Sequence, residues 1–176
     1  MRRKREVSTG KIKKYKARMN LDGSRMKKGI DYDLTYAPVV RWSSIRLTLI
    51  LSLLNDWHTV QLDYVHAFPQ APIEKEMFMK IPAGIQIKEG NNKDYVLKMH
   101  RNIYGQRQAG RVWNKHLHKI LTDELKFQQS EVDECVYYRD EVLYLLYTDD
   151  SILASRCKFK ISKAIKDIQA SGLKSR

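Results

Sequence analysis

The chain has 176 residues, of which 43% are hydrophobic, so its length and composition allow one domain with a real hydrophobic core. Its formal net charge of +13 is typical of proteins that bind polyanions such as nucleic acids. No apolar run is long enough to cross a membrane or to form a secretory signal, and two cysteines are too few for a disulfide framework or a zinc site, which favours an intracellular setting.

The positive charge is concentrated at the N-terminus, where residues 1–28 carry twelve basic and two acidic side chains for a net charge of +10. Residues 1–9 have the composition of a disordered basic tail or a nuclear-import signal, and we predict a tail there. Residues 11–19 alternate basic with apolar or aromatic side chains, which predicts a strand with one cationic face.

Strands and helices are interleaved along the rest of the chain. Strands are predicted from short alternating or apolar runs at 58–62, 76–81, 95–100, 135–139 and 142–147. Helices are predicted from their periodicity at 43–56, 108–125 and 159–170. The first helix has Ser43 or Ser44 as its predicted cap, and we expect it to be well buried because it is apolar around much of its circumference. This order predicts an α+β fold, an antiparallel sheet with helices packed on one face.

The most informative motif is Tyr147-Thr148-Asp149-Asp150, which lies between the apolar runs 142–146 and 152–154. Both runs have the length and composition of strands, so the pattern predicts a β-hairpin with paired acids at its tip. Neighbouring carboxylates repel each other unless a cation lies between them, and Mg²⁺ prefers oxygen ligands. The motif therefore points to metal-dependent phosphoryl chemistry. The alternative is a solvent-exposed turn, because Asp is common in turns.

A third carboxylate, Asp63, ends the strand predicted at 58–62. A single acid in this position is usually a cap or a turn residue. Nucleotidyl transfer with two metal ions, however, needs carboxylates from more than one strand to bridge ions about 3.5–4 Å apart. Asp63 and Asp149 on adjacent strands of one sheet would supply such a bridge.

A series of short motifs follows in order along the chain from about Gly10 to the C-terminus: Tyr15-Lys16-Ala17-Arg18, Gly29-Ile30-Asp31-Tyr32, residues 36–40, Ser44-Ile45-Arg46, Gln61-Leu62-Asp63, Ala67-Phe68, residues 76–82, Tyr104-Gly105, Val112-Trp113-Asn114, residues 133–138 and residues 147–150. With this ordered set the chain resembles the reverse transcriptase of copia-type retrotransposons. Each motif is weak alone, but chance would have to supply every spacing together.

The resemblance implies an RNA-directed DNA polymerase from the Pol polyprotein of an LTR retrotransposon. Residues 10–176 would form partial fingers and a polymerase-type palm, and we expect no thumb, RNase H, integrase or protease segment. The implied partners are an RNA template, a DNA primer and deoxynucleoside triphosphates, with two Mg²⁺ ions, or Mn²⁺ in their place. The implied location is a cytoplasmic particle or the nucleus. Oligomeric state is not implied.

The resemblance also implies roles for the acids. Asp63, Asp149 and Asp150 would be the catalytic metal ligands, with Asp149 the bridging ligand and Asp150 the more peripheral one. Tyr64 would offer its backbone carbonyl to the second metal. Tyr147 would pack under the primer end, or would be only a strand aromatic.

Further residues match the nucleotide-binding and template segments of the family. Phe68 would lie under the incoming sugar and reject a 2′-hydroxyl by steric clash; its alternative is core packing. Lys16 and Arg18 would contact the triphosphate; their alternative is a general face for nucleic-acid backbones. Gly105 and Gln106 would approach the nucleotide, with Arg107 and Gln108 touching nucleotide or template; the alternative is a simple helix start.

Two other functions stay open on the sequence. The first is a truncated, inactive element remnant that acts at most as a basic nucleic-acid-binding domain. The second is a structural or interaction protein with an exposed acidic turn.

Overall fold

The computed structural model describes residues 2–16, 19–87 and 90–176, which form three antiparallel sheets and four α-helices. The strands are β1 (Arg2–Arg5), β2 (Ile12–Lys16), β3 (His58–Asp63), β4 (Pro72–Lys80), β5 (Val96–Arg101), β6 (Gln128–Gln129), β7 (Val136–Arg139), β8 (Val142–Tyr147) and β9 (Asp150–Ser155). The helices are α1 (Trp42–Leu54), α2 (Ala67–Gln70), α3 (Ala109–Lys119) and α4 (Lys158–Ala170). No helix in these described ranges is long and apolar enough to span a membrane.

The central sheet has five strands in the order β3-β9-β8-β7-β6, and the acid-bearing strands are therefore neighbours. Alternation along β8 and β9 directs one set of side chains, including Tyr144, Leu146 and Leu153, into the main hydrophobic core. Helices α3 and α4 contribute Trp113 and Ile161 to the same core. This arrangement fits the predicted mixture of helices with an antiparallel sheet.

Helix α1 lies over the opposite face of that sheet, which differs from the prediction that helices pack on one face only. Its residues Ile45 and Leu49 line a cavity of about 430 Å³ together with Leu145, Ile152 and Gln61, which share the face of the sheet opposite to that of Tyr144 and Leu153. The sheet is therefore covered on both sides near the acidic hairpin.

The prediction that α1 is well buried was wrong. Leu53 and Leu54 are 81% and 76% exposed, and the helix buries only Ile45, Thr48 and Ser52. The physical reason is that α1 contacts the sheet along one side, so its other apolar side chains face outwards.

The predicted serine cap of α1 was also wrong. The helix begins at Trp42, and no side chain of the preceding Arg41 caps it. Instead Asp133, from the loop before β7, accepts hydrogen bonds from the Arg41 N–H (2.9 Å) and the Ser44 hydroxyl (2.6 Å). The Asp133 carboxylate, distant in sequence, therefore caps the N-terminus of α1 in place of a local side chain.

The N-terminal residues predicted as a tail form strand β1, which pairs antiparallel with β2. The register places Arg2 opposite Lys16 and Lys4 opposite Lys14. The predicted strand at 11–19 is β2, which ends at Lys16; the structure describes neither residue 17 nor residue 18.

A second, smaller hydrophobic cluster lies under the β4–β5 hairpin and consists of Met26, Met77 and Met99. We call it the methionine cluster. Leu21 and Ile103 pack against it. It joins the loop of residues 19–34 to the segment that leads into α3.

Candidate active site at the acidic hairpin

Strands β8 and β9 are joined by a two-residue loop, Thr148-Asp149, at the tip of the hairpin, as predicted from the motif. Tyr147 pairs with Asp150 across the loop. Thr148 has a φ of 57°, in the left-handed region that two-residue hairpin loops require. A β-branched residue rarely adopts this conformation, so the tip is strained. The indole N–H of Trp113 donates to the Thr148 carbonyl (2.8 Å) and holds the loop against α3.

The register of β3 and β9 brings the carboxylates of the two strands together. Asp63 lies directly opposite Asp150, and directly opposed residues of an antiparallel pair present their side chains on the same face about 4.5–5.5 Å apart at Cβ. Two residues earlier on β3, the Gln61 amide donates to Asp150 Oδ1 (3.3 Å). This contact lies on the same face because side chains alternate along a strand.

Asp149 lies in the loop next to this pair. Its backbone carbonyl accepts a hydrogen bond from the Tyr64 N–H (3.0 Å), which ties the hairpin tip to the residue that follows Asp63. Asp63 and the adjacent pair Asp149 and Asp150, more than eighty residues apart in sequence, therefore converge on one end of the sheet. The strand register pairs Asp63 with Asp150. The bridging role of Asp149 and the peripheral role of Asp150 stay predictions.

The Tyr64 side chain lies beneath the acids in the main core. Its hydroxyl is 2.8 Å from that of Tyr144, which in turn is 2.6 Å from the Ser151 hydroxyl. Burial raises the pKa of Tyr64 and of Tyr144 well above the usual range, so both phenols stay neutral. The Tyr64 ring also contacts Trp113 edge-on, with 5.1 Å between the ring centroids. The tyrosine side chains packed beneath the acids are therefore uncharged. The role of the Tyr64 carbonyl as a metal ligand stays a prediction.

A cation of the chain itself lies on one of the acids. The Arg176 guanidinium donates from Nε and from Nη2 to Asp63 Oδ2, both at 2.7 Å. Because the Asp63 carboxylate is partly exposed and already binds a guanidinium, its oxygen atoms are available in kind to bind another cation. Hard oxygen ligands suit Mg²⁺ or Mn²⁺, so the residues fit such an ion in their chemistry. Among the described residues, however, no group of three or more acidic, histidine or cysteine side chains is arranged as a ready metal site.

Of the two aromatic residues predicted at the site, one packs against the main core and the other lies beside an acid. Phe68, in α2, packs partly buried against the main core and contacts the Tyr104 ring at 4.8 Å between centroids. Tyr147, beside Asp150, is partly exposed and lies 6.3 Å from the Trp42 ring. Their roles in sugar discrimination and primer packing stay predictions.

Gly105 fulfils a packing requirement inside the chain. It has a φ of 93°, and a Cβ there would overlap the Leu21 carbonyl oxygen. The Leu21 N–H also donates to the Tyr104 carbonyl (2.8 Å). The close neighbour at this glycine is thus the protein backbone, whereas the prediction placed a base or sugar there.

The three residues after Gly105 also contact the protein itself. Gln106 and Gln108 are only 6% and 5% exposed, and their amide groups contact the Met77 sulfur at 3.7 and 3.2 Å. Arg107 donates to the Gly23 carbonyl (2.8 Å) and lies over the Tyr32 ring. Helix α3 begins at Ala109, directly after Gln108. The predicted contacts of these three residues with nucleotide or template stay predictions.

The two predicted triphosphate contacts fall where the structure gives no side-chain information. The Lys16 backbone ends β2, but its side chain and the whole of Arg18 lie outside the described residues. Their role stays a prediction.

Sequence reasoning missed three residues that shape the site. Gln61 was detectable, because it precedes Asp63 by two residues on a predicted strand and so shares its face. Trp113 and Arg176 gave no local signal, because each reaches the site from a distant part of the chain.

The family described as reverse transcriptase (RNA-dependent DNA polymerase) matches residues 2–175. The chain belongs to the reverse transcriptase family.

The relatives are retrotransposon polyproteins, which confirms the resemblance drawn from the motifs. The chain is 32% identical over 166 residues to the retrovirus-related Pol polyprotein from transposon TNT 1-94 of Nicotiana tabacum, covering 92% of the chain and 12% of the relative. It is 33% identical over 150 residues to the corresponding polyprotein from transposon RE2 of Arabidopsis thaliana, covering 83% and 10%. The chain thus spans about a tenth of the length of these relatives. No solved structure matches it.

Proposed function

We propose that this chain carries the catalytic acids of an RNA-directed DNA polymerase, which adds deoxynucleotides to a DNA primer on an RNA template inside the cell. The single observation that supports this most is the β3–β9 register, which places Asp63 opposite Asp150 with Asp149 in the adjoining loop. Membership of the reverse transcriptase family makes this the chemistry to test first.

Asp63, Asp149 and Asp150 would hold two Mg²⁺ ions, or Mn²⁺ in their place. When bound, such ions supply activation of the primer 3′-hydroxyl and neutralisation of the triphosphate. The protein keeps the acids in place through the bond between the Tyr64 N–H and the Asp149 carbonyl, and through the bond between Trp113 and Thr148. Gln61 orients the Asp150 carboxylate.

The basic hairpin of β1 and β2 supports a polyanionic partner. All four residues of β1 and three of the five residues of β2 are lysine or arginine. An isolated two-stranded hairpin is already marginal in water. A nucleic-acid backbone or a triphosphate would neutralise this charge, which agrees with the proposed roles of Lys16 and Arg18.

Primer extension on an RNA template with Mg²⁺ tests the proposal. We expect incorporation by the native chain and a loss of about a hundredfold or more in Asp63→Asn and in Asp149→Asn, because each change replaces a proposed metal-binding carboxylate with a weaker, neutral ligand. Asp140→Asn is the matched control, since it changes an acid in the hairpin loop at the other end of β8. Incorporation that survives both active-site substitutions would contradict the proposal.

The same preparations decide between a polymerase and a domain that only binds nucleic acid. Binding of the RNA–DNA hybrid that weakens steeply with salt, together with no incorporation by any variant, would favour the binding domain. Direct Mn²⁺ binding, measured by the loss of the free-ion electron paramagnetic resonance signal, reports on the acids without requiring turnover. We expect that binding to weaken in Asp63→Asn and in Asp149→Asn but not in Asp140→Asn.

A further inference from the structure

Residues 173–176 lie along the end of β3 as a short strap. Leu173 is buried in the main core, and Ser175 forms an antiparallel bridge with Tyr64. The Asp63 N–H donates to the Arg176 carbonyl and the Arg176 N–H to the Asp63 carbonyl, both at 2.9 Å. The strap therefore extends the sheet beside the first catalytic acid.

The side chain of Gln70 clamps the strap from the other side. Its amide oxygen accepts from the Lys174 N–H (2.7 Å), and its amide nitrogen donates to the Lys174 carbonyl (3.0 Å). Backbone groups, Leu173 and Gln70 thus hold the strap in place. Because the Arg176 side chain contributes to none of these contacts, it can be changed while the strap remains.

The strap carries the Arg176 guanidinium, and two of its nitrogen atoms contact Asp63 Oδ2. The guanidinium itself keeps its positive charge at every working pH. The pair is exposed, with the Arg176 side chain 75% and the Asp63 side chain 35% accessible, so water and salt weaken it. The contact can open, but while closed it occupies one of the proposed metal ligands.

We propose that Arg176 is an internal competitor for divalent metal at Asp63: the guanidinium occupies the carboxylate in the resting chain and is displaced when a metal ion binds. This inference rests on the proposed function, because it takes Asp63 to be a metal ligand. It makes the strap a regulator of metal affinity. By reciprocity, whatever draws Arg176 away from Asp63, such as a phosphate of a bound substrate, strengthens metal binding.

Mn²⁺ titration of the full chain tests the competition, with the affinity read from the free-ion electron paramagnetic resonance signal. In Arg176→Gln we expect Mn²⁺ to bind about two- to fivefold more tightly, a modest gain because exposed ion pairs contribute little. Lys174→Gln is the matched control: it removes the same charge from the same strap, but Lys174 has no ion pair with Asp63. A smaller gain there separates direct competition from a general change in charge. Circular dichroism melting curves establish that both variants fold.

A double substitution locates the effect. In the Asp63→Asn background, Arg176→Gln should give no further gain, because the contested carboxylate is gone. A gain that persists in that background, or equal gains from Arg176→Gln and Lys174→Gln, would overturn the competition and leave the proposed function intact. If no variant binds Mn²⁺ in a way that depends on Asp63 and Asp149, the proposed function fails and the competition fails with it.

Discussion

The main core and the methionine cluster are composed of different types of side chain. The main core packs rings and branched aliphatic side chains, with Trp113, Tyr64 and Tyr144 fully buried. The methionine cluster has three flexible side chains, and the sulfur atoms of two of them, Met77 and Met99, contact the amides of buried glutamines. Methionine fills irregular gaps and tolerates rearrangement, whereas interlocked rings do not.

The two regions contact different parts of the predicted site. All three acids lie at the edge of the main core, while the segment of residues 105–108, for which we predicted nucleotide and template contacts, lies against the methionine cluster. From the residue types in each region we expect the main core, which carries the acids, to be rigid and the methionine cluster to be adaptable. The following substitutions test whether the two regions differ in this way.

The largest effect is expected for Trp113→Ala. Truncating a fully buried tryptophan costs about 3–5 kcal/mol of unfolding free energy, and the bond to the Thr148 carbonyl is lost as well. Urea unfolding measures the loss. Trp42→Ala is the control, because Trp42 is 64% exposed and its removal should cost about 1 kcal/mol or less. Similar losses for the two tryptophans would contradict the assignment of the main core as the rigid region.

Gly105→Ala should give the next largest loss, at the junction between the two regions. The added Cβ meets the Leu21 carbonyl oxygen and the φ of 93° disfavours a side chain, so we expect about 3 kcal/mol or more. Gly84→Ala separates the two causes, because Gly84 has a similar φ of 89° but open space around it. That control should cost only about 1 kcal/mol in the same urea experiment. Equal costs would show that backbone conformation alone makes Gly105 necessary.

Asp133 should give a smaller loss with a pH signature. Burial raises the pKa of its carboxyl, but hydrogen bonds from Ser44, Arg41 and Cys135 outweigh burial and lower the pKa overall. A lowered pKa means that the carboxylate stabilises the fold above the unfolded-state pKa, and that this contribution is lost as the pH falls through the folded-state pKa.

We therefore expect Asp133→Asn to cost about 1–3 kcal/mol at neutral pH, and the difference from the native chain to shrink below about pH 4. Urea unfolding at a series of pH values measures both effects. Asp94→Asn, which changes an exposed acid, should leave stability within about 0.5 kcal/mol at every pH. A difference between native and Asp133→Asn chains that does not vary with pH would show that the carboxylate charge has no part in joining α1 to the sheet.

The sequence predicted the parts of the fold that depend on local periodicity. The acidic hairpin, the strand ending at Asp63 and the helices that became α3 and α4 follow from the pattern of apolar residues. The convergence of the acids also followed, because adjacent antiparallel strands bring their ends together.

Features that depend on distant contacts could not be predicted. The Asp133 cap acts across more than eighty residues, and Arg176 reaches Asp63 across 113. The exposure of α1 has the same cause, because its composition is that of a buried helix and only tertiary packing decides which side is covered. The glutamines at 106 and 108 read as surface residues, yet methionine sulfur and backbone groups satisfy part of their polar atoms inside the protein.

The smallest effect concerns the hairpin tip, where the rigid region stores strain. Thr148→Asn should raise the unfolding free energy by about 1 kcal/mol, because asparagine tolerates a φ of 57° and threonine does not. The midpoint of thermal unfolding should rise by about 2–4 °C. Thr148→Val keeps the β-branch and the strain, so it should give no gain. If Thr148→Val raises the unfolding free energy as much as Thr148→Asn, the destabilisation at this position comes from the threonine hydroxyl and its surroundings. The backbone of the acid-bearing loop would then be unstrained.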